Sequence, residues 1–340
     1  MRGRGYDATP AMRCDGLRRS ALVSAAIVTC IFLGPQRAAV QELNEPNPNE
    51  LRDLRTSIRG PLQQRLEAVF PESFREGVDI FWEPGEGWVS QEVFDWWASR
   101  VERKGLTREA AQRMFSRIPG RSPVFLGPRR RQICAVVGAS RNLLGSRYGD
   151  LIDAHNVVFR VNRAPTADFR SDVGGKTTHH VTWPTDFGGG MADRRAFLLL
   201  NPMTLNTEDL FDWILSLVEN DLRWEPDRVR IIHPEFVKYL YEDWMEEQGQ
   251  FPSTGFIALM IAVHVCDEVD VFGFGADADG RWDRYYEDEV FERTDLHPVD
   301  FEGEFRREMV KQKILKVFLG NRSENGVEFP GFETDESEDD

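Results

Sequence analysis

The chain contains 340 residues, with 42 lysines and arginines against 57 aspartates and glutamates and a formal net charge of −15. This acidic balance argues against a nucleic-acid partner, because neutralising phosphates requires a basic surface. The 41% of hydrophobic residues excludes a wholly disordered chain. Four cysteines, none of them spaced as CxxC, exclude a disulfide-rich scaffold and the zinc frameworks built on that spacing.

Residues 1–34 have the pattern of a membrane-targeting segment. Residues 1–19 carry five arginines against two aspartates, and residues 20–34 are uncharged. That run is shorter than the about 20 apolar residues of a typical membrane span, and its length fits the about 7–15 residues of a signal peptide. Pro35 and Gln36 make a poor cleavage site, and the basic flank favours an uncleaved signal anchor with a cytoplasmic tail at 1–19. A cleaved signal peptide and a buried helix of a soluble domain stay open.

The remaining chain divides by composition. Residues 35–75 are polar and contain prolines, which indicates a stem, with a helix near 51–69. The tryptophans from Trp82 onward mark the start of a folded body at residues 76–322. The last eight residues contain six acids, so residues 323–340 are predicted to be an acidic disordered tail.

Short apolar runs alternate with helical patterns in the folded body, which predicts an α/β fold with a mostly parallel sheet and helices on both faces. Phe256–Val265 is apolar all round and is predicted to be a buried helix, and Gly303–Phe318 has helical spacing. The predicted strands are Ile133–Val137, Val157–Val161, Thr177–Thr182, Ala196–Leu200, Val229–Ile232 and Val269–Phe274.

Three polar segments lie where ligands bind in such sheets, at strand ends and helix starts. Gly138–Asn142 follows the first predicted strand and suits phosphate binding through backbone N–H groups, although a structural strand-to-helix turn is its default interpretation. Asn162–Pro165 follows the second strand, where an Asn side chain suits a ribose, a phosphate or an Asx-turn. Pro252–Gly255 precedes the buried helix and supplies its N-cap, which is also an anion site.

The histidines give one candidate for acid–base chemistry. His297 lies in a carboxylate-rich stretch and is a candidate general base. His264 falls within the apolar helix and is interpreted as a core residue. His179 and His180 are adjacent on a strand and face opposite sides, so they cannot form one metal site by themselves.

Taken together and in this order, these segments resemble the sialylmotifs of the animal-type sialyltransferases. Residues 134–184 resemble the large motif, and residues 233–279, with PSTGFIALMIAVHVCDEVDVFGFGADAD, resemble the small motif. Trp282–Glu287 (WDRYYE) resembles the third motif, and His297 to Glu302 fits the very small motif, His-x4-Glu. The segment HVCDEV…GFGAD is most similar to the α2,3 branch that acts on Galβ1,3GalNAc.

The resemblance implies a single-pass type II Golgi membrane enzyme with a single lumenal catalytic domain. Its fold would be a modified nucleotide-binding fold, GT-A-like and Rossmann-like. It would transfer sialic acid from CMP-sialic acid to a terminal galactose hydroxyl of a glycoprotein or glycolipid, with inversion of the anomeric centre. The resemblance implies no metal and no other cofactor, so the DxD at Asp277–Asp279 would be structural.

The resemblance also assigns roles to residues of this sequence. His297 would be the general base, Arg284 would stabilise the leaving phosphate, and Cys134 would form a disulfide with Cys266. The residues implied to contact the donor nucleotide are Ser140, Asn142, Asn162, Ser253, Thr254, Gly255 and Gly275.

The sequence departs from the family pattern at several site positions. Ala139 replaces an Asn of the large motif, and Arg284 stands where the third motif has a His. Arginine cannot act as an acid near neutral pH, but it can neutralise phosphate charge. Val101 and Phe251 replace a Gln and a Tyr of the α2,3 branch. These departures keep two alternatives open, a transferase that uses another CMP-activated acidic sugar such as CMP-Kdo, and a non-catalytic binder of glycans or nucleotides.

Overall fold

The computed structural model describes residues 60–83, 89–100, 108–118, 131–183, 196–202, 226–276, 282–287 and 297–320. Within these ranges the strands are β1 Phe81–Trp82, β2 Ile133–Val137, β3 Val157–Val161, β4 His179–Thr182, β5 Phe197–Leu200, β6 Val229–Ile232, β7 Glu268–Phe272 and β8 Leu315–Phe318. The helices are α1 Pro61–Val69, α2 Gln91–Arg100, α3 Arg108–Arg117, α4 Gly149–Ala154, α5 Arg170–Val173, α6 Pro234–Tyr239, α7 Thr254–Val265 and α8 Val299–Lys311.

The described strands form one eight-stranded sheet in the order β1-β6-β5-β4-β3-β2-β7-β8. All neighbouring strands are parallel except the edge pair, in which β1 runs antiparallel to β6. The predicted α/β class and mostly parallel sheet are confirmed. Three predicted strands have the observed ends (β2, β3 and β6), and β4, β5 and β7 differ from their predictions by small shifts at the ends.

Both faces of the central part of the sheet are buried, which is why strands such as β2 and β5 are continuous apolar runs. In β2, Cys134 and Val136 pack into the larger core cluster on one face, whereas Ala135 and Val137 pack into a second cluster on the other. The apolar helix α7 contacts β2, β3, β4 and β7 on the first face. Helices α4 and α5 contribute Ile152 and Val173 to the second cluster. The predicted placement of helices on both faces is therefore confirmed.

The C-terminal prediction of a helix over Gly303–Phe318 is wrong in its second half. Helix α8 ends at Lys311, and Leu315–Phe318 forms strand β8 beside β7. Lys313 has a positive φ of 56° and reverses the chain. The N–H of Lys313 donates to Val310 O and that of Ile314 donates to Met309 O, which is a Schellman C-cap. Such caps usually have glycine at the position with positive φ. Because lysine occupies that position here, the sequence pattern did not indicate where the helix ends.

Helix α1 lies within the segment predicted to be a stem, yet it packs on the folded body. Leu62 and Leu66 are buried in the larger core cluster. Gln63 Nε2 donates to Val263 O and Cys266 O, at 3.0 and 2.9 Å, at the end of α7. The packed body therefore extends upstream of residue 76 to include this helix.

A disulfide joins Cys134 in β2 to Cys266, the residue that follows α7, as predicted. It closes a loop with a sequence separation of 132 residues and ties the two longest motif segments together. In the part of the chain that the structure describes, no helix combines the length and the apolarity needed to cross a bilayer. The predicted tail, anchor and acidic C-terminal segment lie outside the described residues.

Candidate active site

A cavity lies at the carboxyl ends of β2 and β7, where the strand order of the sheet changes direction. From β2 the chain continues through β3 to β6 on one side, and then returns to the other side of β2 with β7 and β8. Ligands bind at this switch point in open α/β sheets. The residues lining the cavity are Gly138, Ala139, Ser140, Val161, Ser253, Gly255, Gly273, Phe274, Gly275, Trp282, Asp283, Arg284, Val299, Glu302 and Arg306.

The turn after β2 forms one wall of the cavity. Gly138 is required there because a Cβ would collide with the carbonyl oxygen of Gly273. Ser140 donates its hydroxyl to Gly275 O at 2.7 Å, and its backbone N–H donates to Gly273 O at 3.0 Å. The turns after β2 and β7 are thereby held against each other, with Ser140 between them. The Asn142 amide reinforces this contact by donating to Phe274 O at 3.2 Å.

The segment Trp282–Glu287 pairs with this turn and carries Arg284 into the cavity wall. Ser140 and Arg284 form an isolated antiparallel bridge, and Tyr285 N–H donates to Ala139 O at 3.0 Å. Arg284 Nη1 lies 3.0 Å from Glu287 Oε1 in an ion pair, with 30% of the arginine side chain exposed. The arrangement presents a guanidinium beside the strand-end glycines.

The N-terminus of α7 forms the opposite wall. Ser253 is its N-cap, because its hydroxyl accepts from Phe256 N–H at 3.0 Å. The helix end carries a partial positive charge and unpaired N–H groups that favour an anion. Gly255 leaves room there for the Phe274 ring, whose nearest atom would lie 2.9 Å from a Cβ.

His297 lies just before α8, and one ring nitrogen is fixed by the backbone. His297 Nδ1 lies 3.1 Å from Phe251 O. A carbonyl oxygen can only accept, so Nδ1 carries the proton and Nε2 keeps its lone pair in the neutral ring. The Phe251 ring contacts the imidazole edge to face at 5.2 Å and stacks on Trp183 at 5.5 Å. His297 is thus oriented with a basic nitrogen available.

Glu302 ends the predicted His-x4-Glu motif, although the sequence predicted no role for its side chain in the site. It is 4% exposed and accepts from both the N–H and the hydroxyl of Ser253. Burial raises the pKa of Glu302, while the hydrogen bonds from Ser253 and the nearby Arg306 oppose this rise. Glu302 therefore links the segment that carries His297 to the helix N-terminus at the cavity. Arg306 was missed as well, although its spacing from Glu302, four residues along one helix face, was a usable signal.

The cavity brings together five of the residues predicted from the sequence, namely Ser140, Ser253, Gly255, Gly275 and Arg284. The other four, His297 among them, lie outside its lining. Asn142 is buried behind the turn, and Thr254 is buried in the first turn of α7. Asn162 has a positive φ of 49° and accepts from Trp183 N–H at 3.0 Å, which joins the ends of β3 and β4. The roles of these residues toward a ligand stay predictions.

The histidines at strands and helices outside the cavity have structural partners. His179 stacks between Phe159 and Phe197, and His180 Nε2 donates to Asn162 O. His264 bonds to Met260 O, as expected of a core residue. Burial lowers the pKa of His180 and of His264 to about 4.

No cluster of three or more His, Cys, Asp or Glu that could hold a metal ion occurs among the residues the structure describes. The DxD at Asp277–Asp279 lies outside those residues.

A glycine-lined cavity at the switch point of a parallel sheet, beside a helix N-terminus, defines an α/β nucleotide-binding protein. The model of glycosyltransferase family 29 (sialyltransferase) matches residues 86–314, and the chain belongs to this family. The predicted sialyltransferase family and enzyme class are therefore confirmed.

Two curated relatives cover most of the chain. CMP-N-acetylneuraminate-beta-galactosamide-alpha-2,3-sialyltransferase 1 of Homo sapiens is 33% identical over 280 residues, which cover 76% of this chain and 80% of the relative. The corresponding sialyltransferase 2 of Rattus norvegicus is 35% identical over 271 residues, covering 74% and 76%.

Solved structures agree with this assignment. A crystal structure of a mammalian sialyltransferase superposes with a TM-score of 0.68 at 30% identity, covering 76% of this chain and 96% of that one. A second, in complex with Gal-beta-1-3GalNAc-ortho-nitrophenol, has a TM-score of 0.68 at 29% identity and covers 78% and 100%. The single-domain α/β fold is thus that of the mammalian sialyltransferases.

Proposed function

We propose that this sialyltransferase transfers sialic acid from CMP-sialic acid to the 3-hydroxyl of galactose in a Galβ1,3GalNAc-terminated glycan of a glycoprotein or glycolipid. The family supports sialic acid as the transferred sugar. The curated relatives are named for CMP-N-acetylneuraminate, beta-galactosamide and the alpha-2,3 linkage. A structural neighbour was solved with Gal-beta-1-3GalNAc-ortho-nitrophenol. These names support the donor, the acceptor and the linkage of the proposal.

The observation that carries the mechanism is the hydrogen bond between His297 Nδ1 and Phe251 O. It leaves Nε2 able to take the proton of the acceptor hydroxyl. The acceptor oxygen then attacks the anomeric carbon, and the bond from that carbon to the phosphate oxygen breaks. Its electron pair stays on the phosphate, and CMP leaves. One displacement inverts the anomeric centre, and general-base help of this kind is worth about 10²–10⁴-fold.

The donor nucleotide and its phosphate would lie between the strand-end turns and the start of α7. Ser140, Gly275, Ser253 and Gly255 line this part of the cavity, and Asn142, Asn162 and Thr254 support its walls in the proposal. Arg284 would neutralise the charge that develops on the leaving phosphate, in place of a proton donor. In the proposed mechanism the charge of Arg284 stabilises the leaving phosphate, and no metal ion takes part.

We further propose a Golgi localisation, with residues 1–19 cytoplasmic, residues 20–34 as the signal anchor and the catalytic body in the lumen. The basic flank and the uncharged run support this topology. The Cys134–Cys266 disulfide fits an oxidising compartment.

The experiment is CMP release from CMP-sialic acid by the full chain, with and without Galβ1,3GalNAc, for the wild type and His297→Ala. Acceptor-stimulated release that falls about 10²–10⁴-fold in the variant is expected. The exposed Glu304→Gln on α8 is the control that keeps full activity. NMR of the product gives the linkage and the anomeric configuration. Preference for CMP-Kdo in a donor panel would overturn the assignment of CMP-sialic acid as the donor. Unchanged CMP release by His297→Ala would overturn the assignment of His297 as the general base.

A further inference from the structure

Arg306 is a cavity residue that the sialylmotifs do not include. It lies on α8 four residues after Glu302, so the two side chains share one face of the helix. Both line the cavity, together with Ser140, Ser253 and Arg284. Arg306 therefore brings a second guanidinium to the site proposed for the donor.

The Arg306 head group has an aromatic support and, within the described part of the chain, no hydrogen-bond acceptor. Its guanidinium carbon lies 5.2 Å from the centroid of the Phe274 ring, and that ring packs over Gly255 at the start of α7. Among the residues described, none accepts a hydrogen bond from Arg306. Glu302 attracts it electrostatically, but both Glu302 oxygens already accept from Ser253.

Arg160, by contrast, has hydrogen-bond acceptors within the protein. Arg160 is fully buried, and two of its three guanidinium nitrogens donate to protein acceptors, Nε to Lys176 O and Thr177 Oγ1 and Nη2 to Val173 O. A half-buried guanidinium without protein acceptors loses part of its hydration and gains no hydrogen bond in return. Burial lowers the pKa of Arg306, which is the expected effect of that loss. An anionic ligand in the cavity would supply the acceptors that the described residues do not.

We propose that Arg306 is a donor-specificity residue that binds an oxyanion of the CMP-sugar. The proposed donor carries two such groups, the phosphate and the sugar carboxylate, and either one fits the guanidinium fork. Arg284 is held by Glu287 at another part of the wall, so two cationic groups face a ligand with two negative charges. The inference rests on the proposed placement of the donor in this cavity.

Calorimetric titration of the full chain with cytidine, CMP and CMP-sialic acid tests this role. Arg306→Gln is expected to weaken the binding of CMP-sialic acid about 10–100-fold, because charge-assisted hydrogen bonds are lost, and to leave the affinity for cytidine unchanged. An equal loss for CMP assigns the phosphate, and an unchanged CMP affinity assigns the carboxylate. Arg307→Gln, which changes the exposed neighbour on the same helix, is the matched control with wild-type affinity.

Two further variants, Arg306→Lys and Ser140→Ala, separate the role of Arg306 from the placement of the donor in the cavity. Arg306→Lys retains the charge without the planar fork, and we expect it to bind CMP-sialic acid with intermediate affinity. If a thermal melt shows that Arg306→Gln is not folded, Arg306→Lys takes its place in the titration. Ser140→Ala reports on the cavity itself. If Ser140→Ala weakens CMP and Arg306→Gln has wild-type affinity for all three ligands, the role of Arg306 is overturned while the donor site stands. If neither variant weakens the binding of any of the three ligands, the donor placement is overturned as well.

Discussion

Glu302 and Ser253 are joined by two hydrogen bonds that tie the start of α8 to the start of α7. Glu302 Oε1 accepts from Ser253 N–H at 2.9 Å, and Oε2 accepts from the Ser253 hydroxyl at 2.7 Å. The same hydroxyl accepts from Phe256 N–H and caps α7. The segment that carries His297 is therefore fixed to the helix end that lines the cavity. The segment with His297 and the start of α7, which come from distant parts of the chain, are thereby held together.

The first prediction concerns this link. In Glu302→Gln the amide nitrogen cannot accept, so one hydrogen bond from Ser253 is lost. A charge-assisted hydrogen bond is worth about 1.5–3 kcal/mol, and kcat/KM is expected to fall about 10–100-fold because the position of His297 loosens. Steady-state kinetics with CMP-sialic acid and acceptor measure this fall. Glu304→Gln should match the wild type, and full activity of Glu302→Gln would contradict the link.

The second prediction concerns Arg284 as the group that neutralises the leaving phosphate. Arg284→Gln keeps much of the side-chain volume and removes the charge, so kcat is expected to fall about 10²–10³-fold, as for other preorganised donors to a developing charge. Arg284→Lys should recover part of the loss. Glu287→Gln removes the ion-pair partner and leaves the charge, and less than about a tenfold effect is expected. A change confined to the donor KM in Arg284→Gln would contradict a role in the transition state.

Continuous apolar runs made most of the sheet predictable. Strands β2 and β3 are buried nearly throughout and are followed directly by Gly138 and Asn162, so burial and turn residues together define their limits. The parallel order placed both strand ends at one edge of the sheet, which indicated the segment Gly138–Asn142, whereas the donor contact of Ser140 was implied by the family resemblance. The start of α7 was equally visible, because Ser253 combines a capping side chain with a following apolar helix.

Other features depend on contacts between distant residues, and the local sequence carried at most a weak signal for them. The cap at Lys313 uses a residue type that seldom has a positive φ, so the end of α8 resembled a continuing helix. Glu302 reaches Ser253 across a separation of 49 residues. Arg306 resembled one of several charges on an amphipathic helix, and only the packing of α8 against the cavity separates it from Arg307.

The third prediction concerns the Cys134–Cys266 disulfide. Replacing both residues by alanine opens a loop with a sequence separation of 132 residues. In the chain-entropy model the denatured state then gains freedom that lowers the free energy of unfolding by about 4–5 kcal/mol. Urea unfolding of the wild type and the double variant measures the difference. Alanine replacements of Cys14 and Cys30 are the control, and equal urea midpoints for the two proteins would contradict a stabilising role.

The last prediction concerns pH and a buried ion pair on the side of the sheet opposite to α7. His155 Nε2 lies 3.1 Å from Asp270 Oδ2, and Nδ1 lies 2.9 Å from Leu151 O. Both acceptors require a proton on the nitrogen that faces them, so the pair favours the charged ring. Burial alone would lower the pKa of His155, but the hydrogen bonds to Asp270 and Leu151 outweigh it and raise the pKa above 6.5.

Because the pKa of His155 is raised in the folded state, the pair stabilises the protein fully below the unfolded value of about 6.5 and loses this contribution as the pH rises through the folded value. The free energy of unfolding of the wild type should therefore exceed that of Asp270→Asn most at pH 5–6, and the difference should shrink toward pH 9. Urea unfolding across this range measures it, with the exposed Asp168→Asn as a control whose difference from the wild type does not vary with pH. A difference that grows with pH would contradict the charged pair, since it would show that the neutral ring is the form the fold prefers.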